Sequence, residues 1–375
     1  MQTSTLTFAS TLFVCLMALQ SPTVFATVPP SKRTPSKCFV IEGTTLVRYN
    51  GDENCPSDVV IPSSITAIGD AAFVSSGLSS VVIPDTVTTI GQAAFANNSL
   101  TSLVIPDSVT AIGPFAFNRN RLGSVVIPNS VTTIDEGVFR NNRLKSVVIP
   151  NSVLTIGWDA FAYNTLTSVL IPDSVTTIGM AAFYNNQLTS LVIPGSVTSI
   201  GVAAFELNLL GSVVIPDSVT EINKRTFSRN KLTSLVIPES VTTIGLSAFS
   251  SNQLVKVVIP DSVTFIGGGA FSENHLERVV IPGSVSTIGG GAFQSNYLTS
   301  IVIPDSVTTI GEYAFCQNRL TSLVIPYSVS RIGGYAFRLN QLHTVELPRH
   351  TLFREDTFDP GVTVIQHSSV PAREI

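Results

Sequence analysis

Residues that could perform chemistry are sparse in this chain. Its four histidines are His275, His343, His350 and His367, and none falls in an HExxH motif or another metal-ligand spacing. A nucleophilic serine needs a base and a group that orients the base within hydrogen-bond reach, whereas the serines here recur at fixed intervals. The sequence therefore predicts no catalytic residue, no cofactor and no metal site, and we expect a protein that is not an enzyme.

Two regularly spaced sets of polar residues could instead hold a ligand. Asparagine occupies one position every 22 residues, and acidic residues follow many prolines at the same spacing. Buried amides in such a set are expected to bond turn carbonyls from one repeat to the next, so Asn98, Asn120 and Asn142 are predicted to be structural. Stacked carboxylates could bind calcium, although Gly195 and Tyr327 interrupt the acidic set, which suits a turn preference, and both interpretations stay open.

The composition argues against several classes of function. Of the 375 residues, 44% are hydrophobic and only 12% are charged, and the formal net charge is −4. No global basic field would therefore attract nucleic acid or an anionic membrane. Outside the N-terminus, no uncharged apolar run approaches the roughly 18 residues of a membrane-spanning helix. We expect no nucleic-acid partner and, once the signal described below is removed, no membrane insertion.

A repeat of 22 residues explains how so many apolar side chains are buried. Prolines from Pro62 to Pro348 follow one another at this interval without insertion or deletion. A period of this length predicts a solenoid, because a propeller blade needs about 40 residues. Side chains alternate in a strand, so Leu103 and Ile105 are predicted to point inward and Val104 outward.

The second half of each repeat predicts a turn. Ser108 represents a Ser or Thr position that suits a turn bonded to its own backbone. Gly113 recurs in the other repeats except where Asp135 and Asn223 replace it, and these residue types tolerate positive φ, so a left-handed backbone is expected there. A later phenylalanine, usually after alanine, predicts one helical turn whose ring fills the core, as at Phe95, Phe117 and Phe139.

The repeat resembles a known family. Its frame L-x-x-L-x-L, extended to L-T-S-V-V-I-P-D-S-V-T-T-I-G-x-x-A-F-x-x-N, is similar to the BspA-like (Treponema pallidum type) leucine-rich repeats over roughly Cys38 to Pro348. The resemblance implies a leucine-rich repeat solenoid (β-rich α/β) of about 13 stacked rungs, with one parallel sheet, short helical turns on the other side and capped ends. Similar proteins are surface or secreted adhesion and interaction proteins, which implies binding rather than catalysis.

The ends differ from the repeats and complete the predicted domain organisation. Residues 1–26 are predicted to be a secretory signal, because an apolar stretch precedes Val24-Phe25-Ala26. The signal is either cleaved or kept as an anchor, since no Lys or Arg precedes the apolar stretch. Residues 27–37 follow as a linker, 38–61 as the N-terminal cap, 62–347 as the repeat array, and 348–375 as the C-terminal cap and tail. We expect a secreted, periplasmic or cell-surface protein.

Cysteines mark the first of these caps. Cys38 and Cys55 flank the segment that leads into the first repeat. In an exported protein we expect them to form a disulfide that closes the N-terminal end of the core, and two buried thiols are the alternative. Cys316 replaces a variable residue and is predicted to be a lone thiol or a surface cysteine.

The outward positions of the predicted strands are the principal candidate for partner binding. A column of valines runs from Val82 to Val324, and exposure of this column would create an unusually long apolar stripe. The alternative is that these β-branched residues only stabilise the sheet. Charges interrupt the uniform face, and the candidate partner-binding residues are Lys145, Val236, Lys256, Val258, Glu277, Arg278 and Val280.

A second candidate surface is a basic edge near the turn. It contains four arginines in two adjacent repeats, which could bind sulfated glycans or another anionic surface, or could simply be solvated. These residues are Arg119, Arg121, Arg140 and Arg143.

The sequence thus predicts a binding protein. The sheet face would mediate protein–protein interaction or adhesion to host or environmental macromolecules. The alternatives are a structural protein of envelope or matrix that self-associates, and a carbohydrate-binding module.

Overall fold

The computed structural model describes residues 34–367. The predicted signal lies outside the described residues, as do residues 27–33 of the predicted linker and residues 368–375 of the tail. The described chain forms a solenoid of about 15 stacked coils, which confirms the predicted leucine-rich repeat fold. Within the repeat array, strand residues lie opposite the residues 22 positions later, as Val125 does opposite Val147.

Two parallel ladders of strands run along the solenoid, where the sequence predicts one. The first ladder lies just before the prolines and is divided into groups of bonded neighbours. Its strands are Asp58–Val60 with Ser80–Val82, Ser124–Val126 with Ser146–Val148, Ser190–Val192 with Ser212–Val214, Lys256–Val258 with Arg278–Val280, and Leu323–Val324 with Thr344–Pro348 and Thr363–His367.

The second ladder consists of two-residue strands, each ending at a buried isoleucine. The sequence places these isoleucines in the interior but does not indicate that they belong to a sheet. An antiparallel hairpin of Phe39–Glu42 and Thr45–Tyr49 begins the ladder. Its further strands are Ala67–Ile68, Thr89–Ile90, Ala111–Ile112, Thr133–Ile134, Thr155–Ile156, Thr177–Ile178, Ser199–Ile200, Glu221–Ile222, Thr243–Ile244, Phe265–Ile266, Thr287–Ile288, Thr309–Ile310 and Arg331–Ile332.

The turn segments are not helical, in contrast to the predicted helical turns. Within the described residues, the helices are two short 3₁₀ segments at the ends, Ser36–Cys38 and Glu355–Thr357. In the repeats, positive φ occurs at two positions per coil, such as Phe115 (58°) and Arg119 (54°). Phe115 N–H donates to the Glu136 carbonyl of the next coil at 2.7 Å. The turn also has short internal bonds, such as Asn118 N–H to the Phe115 carbonyl at 3.0 Å, but the bonds between coils are of the kind a sheet makes and a helix does not.

The recurring glycine has a different cause from the one predicted, and the expectation of a left-handed backbone at Gly113 is wrong. Neither Gly113 nor Gly201 has a positive φ. A Cβ on Gly201 would lie 2.4 Å from the Met180 nitrogen of the preceding coil. The glycine N–H also donates across this gap, from Gly201 to the Ile178 carbonyl at 2.8 Å. Glycine is needed because two backbones approach too closely for a side chain.

Asp135 and Asn223 show what a side chain does at the glycine position. The second ladder is interrupted between the strands ending at Ile112 and Ile134, and again after Ile200. At both places the bond from the backbone N–H to the isoleucine carbonyl of the preceding coil is missing. At Asn223 the side-chain Nδ2 donates to the Ile200 oxygen at 2.8 Å instead. These two residues divide the second ladder into three sheets.

Asp135→Gly is expected to stabilise the protein by about 1 kcal/mol, because it allows the missing backbone bond to the Ile112 carbonyl to form. Burial raises the pKa of the Asp135 carboxyl, so the native protein loses stability as the pH rises and this group ionises. The advantage of the variant should therefore be larger at neutral pH than in acid. Denaturant unfolding at both pH values measures it, and an unchanged or lower unfolding free energy at neutral pH would contradict the interpretation.

Stacked phenylalanines fill the interior. Successive ring centroids from Phe73 to Phe358 lie 5.0 to 5.8 Å apart. Phe95, Phe117 and Phe139 are completely buried members of this column. Phe358 follows its predecessor one residue early, yet it still stacks on it, so the C-terminal segment adds a shortened coil to the core.

The asparagine column bonds each coil to the one before it. Asn120 Nδ2 donates to the Phe95 carbonyl of the preceding coil at 2.9 Å and to its own coil at Phe117. Its Oδ1 accepts the Leu100 N–H at 3.1 Å. The amides therefore satisfy buried backbone groups and not one another. Equivalent bonds are made by Asn98, Asn142, Asn164, Asn186, Asn208, Asn230, Asn252, Asn274, Asn296, Asn318 and Asn340.

Ser108 also bonds between coils and not within its own turn as the sequence suggests. Its hydroxyl donates to the Val87 carbonyl of the preceding coil at 2.7 Å. Ser130 and Ser152 repeat this bond to Val109 and Val131. These serines, which the sequence of one repeat suggests are turn residues, therefore join neighbouring coils.

The N-terminal end is closed by a covalent bond. Cys38 and Cys55 form a disulfide, with their Cα atoms 5.7 Å apart. Closing a loop of this size stabilises a small fold by about 3 kcal/mol. Thr34 packs at the same end, and its Oγ1 accepts the Val60 N–H at 2.9 Å, which caps the first strand of the first ladder.

Asp359 caps the C-terminal end. Its two carboxylate oxygens accept the N–H groups of Leu339 and Asn340, each at 3.0 Å. The last turn would otherwise leave these donors without the partners that a following coil supplies.

Candidate functional site

The column of valines on the first ladder faces solvent. We call it the valine stripe; its exposed fractions range from 40% to 81%, in contrast to the buried residues beside it. Its members are Val82, Val104, Val126, Val148, Leu170, Val192, Val214, Val236, Val258, Val280, Val302 and Val324. Soluble monomers rarely expose a contiguous apolar surface of this length. The stripe is therefore the first candidate for a binding surface.

Alternation in the strands determines which side chains form this face. In the strand Lys256–Val258, Val257 is buried and its two neighbours are exposed. Arg278–Val280 repeats this pattern. The face therefore carries the stripe beside a column that holds serine in most coils and a cation in these two; we call it the Ser-Val face.

Two cations lie directly opposite each other on the Ser-Val face. Parallel pairing sets Lys256 opposite Arg278 and Val258 opposite Val280. Val236 extends the apolar part through a bridge to Val258. Like charges in this arrangement are destabilising, so the pair does not contribute to the stability of the sheet.

Within the described part of the chain, neither cation of this pair has an anionic partner. The ion pairs within residues 34–367 involve other residues. Glu277 is exposed next to Arg278 in sequence, yet it makes no ion pair with Arg278 or Lys256. The two cations are thus available to a negatively charged group of a partner.

The structure separates some of the residues that the sequence grouped together. Lys145 is exposed beside the strand Ser146–Val148, several coils away from the cation pair. It belongs to the same face but not to the same cluster. Of the candidate partner-binding residues, the other six form a continuous patch, namely Val236, Lys256, Val258, Glu277, Arg278 and Val280.

The four arginines of the basic edge differ in their contacts: Arg140 is held by neighbouring side chains, and the other three are exposed to solvent. Arg140 Nε lies 3.3 Å from Asp159 Oδ2, and its guanidinium carbon lies 4.9 Å from the Tyr163 ring centroid. Burial raises the pKa of the Asp159 carboxyl, and the nearby Arg140 charge opposes that shift. The exposed members are Arg119, Arg121 and Arg143.

A groove on another edge was missed by sequence reasoning. It has a volume of about 630 Å³ and lies on both sides of the asparagine column in four successive coils. His275, Tyr297 and Arg319 occupy equivalent positions in three of these coils and stack on one another. Three large planar side chains at one interval of 22 residues were the available signal.

Within residues 34–367, no three His, Cys, Asp or Glu side chains cluster closely enough to ligate a metal ion. Over the same range, no helix has the length and apolar character required to span a bilayer.

Comparisons with known proteins identify the repeat. The family model described as the BspA type leucine rich repeat region matches residues 52–167, 154–277 and 266–359. No curated protein matches the chain significantly.

Solved structures share the fold over most of the chain. A leucine-rich cell surface protein from Faecalibacterium prausnitzii is 28% identical, with a TM-score of 0.55 over 88% of this chain and 91% of that one. A leucine-rich repeat protein from Bacteroides ovatus has a TM-score of 0.60 at 23% identity over 88% and 90% of the two chains. The pneumococcal vaccine antigen PcpA has a TM-score of 0.58 at 21% identity over the same shares.

The family match and the geometry agree. The matched segments together span nearly all of the coils, and the coils show the strand, buried asparagine and stacked phenylalanine of one repeat unit. The chain belongs to the BspA-type leucine-rich repeat family.

Proposed function

We propose that this protein is a secreted or cell-surface adhesion protein whose Ser-Val face binds another protein. The observation that carries the proposal is the exposed valine stripe with an unpaired cation pair at Lys256 and Arg278. The related structure from F. prausnitzii is described as a cell surface protein, which supports the location. We further propose that the protein acts by binding and has no catalytic activity.

The chemistry of the face defines the partner. Val236, Val258 and Val280 supply an apolar surface next to the two cations. Burial of apolar area drives association, and peripheral charges contribute orientation and rate. The partner is therefore expected to be a protein surface with apolar side chains flanked by carboxylates.

Charge makes self-association through this face less favourable. A two-fold contact is formed by the same patch on both copies. If the patch lies at the centre of such a contact, it brings Lys256 and Arg278 of one copy against the same cations of the other. A different partner avoids this repulsion, so we propose a monomer in solution and keep a self-associating envelope or matrix protein as the second candidate.

Reversing the two charges tests the proposal. A panel of extracellular matrix and host-surface proteins is screened by biolayer interferometry with residues 27–375 as the ligand. For a protein that binds, Lys256→Glu with Arg278→Glu should weaken binding at least about tenfold, which corresponds to about 1.4 kcal/mol. Binding of the wild type should also weaken with added salt, because the charges at the contact are screened.

The control reverses two exposed cations away from this face. Arg229→Glu with Lys231→Glu makes the same change of charge beside the asparagine column and should leave affinity within about twofold, because a distant exposed charge is screened by salt. Equal affinity of the Lys256→Glu, Arg278→Glu variant and the wild type would contradict the proposed site. Concentration-dependent large species in sedimentation velocity, without any partner, would instead favour the structural protein.

A further inference from the structure

The groove beside Asn274, Asn296 and Asn318 is a concave region on the turn edge of the solenoid. Its lining comes from four coils, and the residues flank the buried asparagines on both sides. Among them are Glu273, His275, Ser295, Tyr297, Gln317 and Arg319. A volume of about 630 Å³ falls in the range of small-molecule sites.

One wall of the groove is a rigid stack. The His275 and Tyr297 rings are parallel within 1°, with centroids 5.4 Å apart. The Arg319 guanidinium carbon lies 4.2 Å from the Tyr297 centroid, on a cation–π contact. Stacking neighbours therefore restrict the Tyr297 ring, while the side chain remains exposed. A preorganised aromatic group of this kind loses little conformational entropy when a ligand binds.

The other wall carries hydrogen-bonding groups already held in place. Glu273 accepts the Ser251 hydroxyl at 2.6 Å, which leaves further lone pairs on its carboxylate. Gln317 Oε1 accepts the Ser295 hydroxyl at 2.5 Å, so the Gln317 amide N–H groups are oriented by that bond. Leu339 adds an exposed apolar surface at the end of this wall.

Most backbone N–H groups of the floor are already occupied. They donate to neighbouring coils, as Ser295 does to the Cys316 carbonyl at 2.9 Å and Tyr297 to Leu276 at 2.9 Å. The asparagine side chains are likewise bonded inward, as Asn296 Nδ2 is to the Phe271 carbonyl. Side chains are therefore the main groups that the groove offers to a ligand, which disfavours an added peptide strand.

The charge of the groove is balanced. Glu273 contributes one negative charge and Arg319 one positive charge, so the groove favours neither a strong anion nor a strong cation. Its remaining groups offer both donors and acceptors, including the hydroxyl of Tyr297, whose ring faces are covered by His275 and Arg319 and whose edge is exposed. This combination matches a polyhydroxylated ligand, whose hydroxyl groups donate and accept and whose C–H surfaces pack on apolar side chains.

We propose that this groove binds a neutral oligosaccharide along the solenoid axis, separately from the protein-binding Ser-Val face. The flanking positions carry other chemistry in some coils. Leu207 and Leu209 provide only apolar side chains at the equivalent positions, and Arg229 and Lys231 provide two positive charges. The proposed site comprises the coils of Glu273 to Leu339, whose side chains line the groove.

Binding to defined sugars tests this inference. Cellohexaose, xylohexaose, mannohexaose, maltohexaose and chitohexaose are titrated into residues 27–375 by isothermal calorimetry, with heparin hexasaccharide as the anionic comparison. At least one neutral sugar should bind in the millimolar range or tighter. Glu273→Gln and Tyr297→Ala should each weaken that binding about tenfold, the effect of losing one good polar contact.

A matched variant separates loss of contact from loss of fold. Tyr313→Ala removes another exposed, stacked tyrosine, which lies outside the groove. This variant should bind the sugar as the wild type does. Glu273→Gln keeps the side-chain shape, so its thermal unfolding should match the wild type. Absence of binding by all five neutral sugars, preference for heparin, or equal binding by Glu273→Gln and the wild type would overturn the proposal. Charge reversal at Lys256 and Arg278 should leave sugar binding unchanged, which keeps this test independent of the protein-binding one.

Discussion

Replacing Asn208 by alanine is expected to lower the free energy of unfolding by about 3 kcal/mol. Asn208 Oδ1 accepts the Leu188 N–H at 3.1 Å, and its Nδ2 donates to the Phe183 carbonyl at 2.9 Å. The residue is buried near the middle of the array, so water cannot replace these bonds. The Leu188 donor would lose its acceptor, and two neighbouring coils would lose a shared contact. Equilibrium denaturation followed by circular dichroism measures the change.

A second asparagine provides the control. Asn151 is exposed in the turn after Pro150, so Asn151→Ala should change stability by no more than about 0.5 kcal/mol. If Asn208→Ala and Asn151→Ala lowered the free energy of unfolding equally, the loss would come from replacing asparagine by alanine in general and not from the amide bonds between coils. An Asn208→Ala protein as stable as the wild type would contradict the role assigned to the column.

Gly201→Ala is the second large expected effect, a loss of about 2 kcal/mol through overpacking and a weakened backbone bond. The added Cβ would lie 2.4 Å from the Met180 nitrogen and 2.5 Å from the Gly179 carbonyl carbon. Neither backbone atom can move without separating the coils. We expect the variant to open the second ladder as Asp135 and Asn223 do in the native chain, and to exchange the Gly201 amide proton faster, as measured by hydrogen exchange.

A glycine six residues earlier is the matched control. An added Cβ at Gly195 would meet no atom within 4 Å, so Gly195→Ala should be neutral or slightly stabilising. Equal destabilisation by the two substitutions would show that lost glycine flexibility and not close approach is responsible. Because stability in a repeat array spreads through neighbouring contacts, the Gly201 variant should also unfold over a broader range of denaturant.

Much of the candidate protein-binding site follows from periodicity. Alternation in the strands predicts that Val258 points away from the core, and the interval of 22 residues sets Arg278 beside Lys256. Whether another part of the chain covers this face cannot be derived from the pattern of one repeat. Only the folded chain shows that, within residues 34–367, the stripe remains exposed along its whole length.

The sugar-binding groove could not be derived in the same way. The positions of His275, Tyr297 and Arg319 vary from repeat to repeat, so they carry no periodic signal of burial. Their common feature is a planar side chain, and stacking depends on the separation and tilt of adjacent coils. That geometry exists only after the coils have assembled.

The sequence by itself determined the 22-residue coil, the buried phenylalanines and asparagines, and the outward valines, because these depend on residue type and spacing within one repeat. The tertiary structure alone decided the second ladder, the non-helical turns and the reason for the glycine at Gly113. Each of these depends on hydrogen bonds or distances between successive coils, as Phe115 to Glu136 illustrates. A single repeat contains only half of every such contact, so its sequence specifies the residues but not the bonds they form.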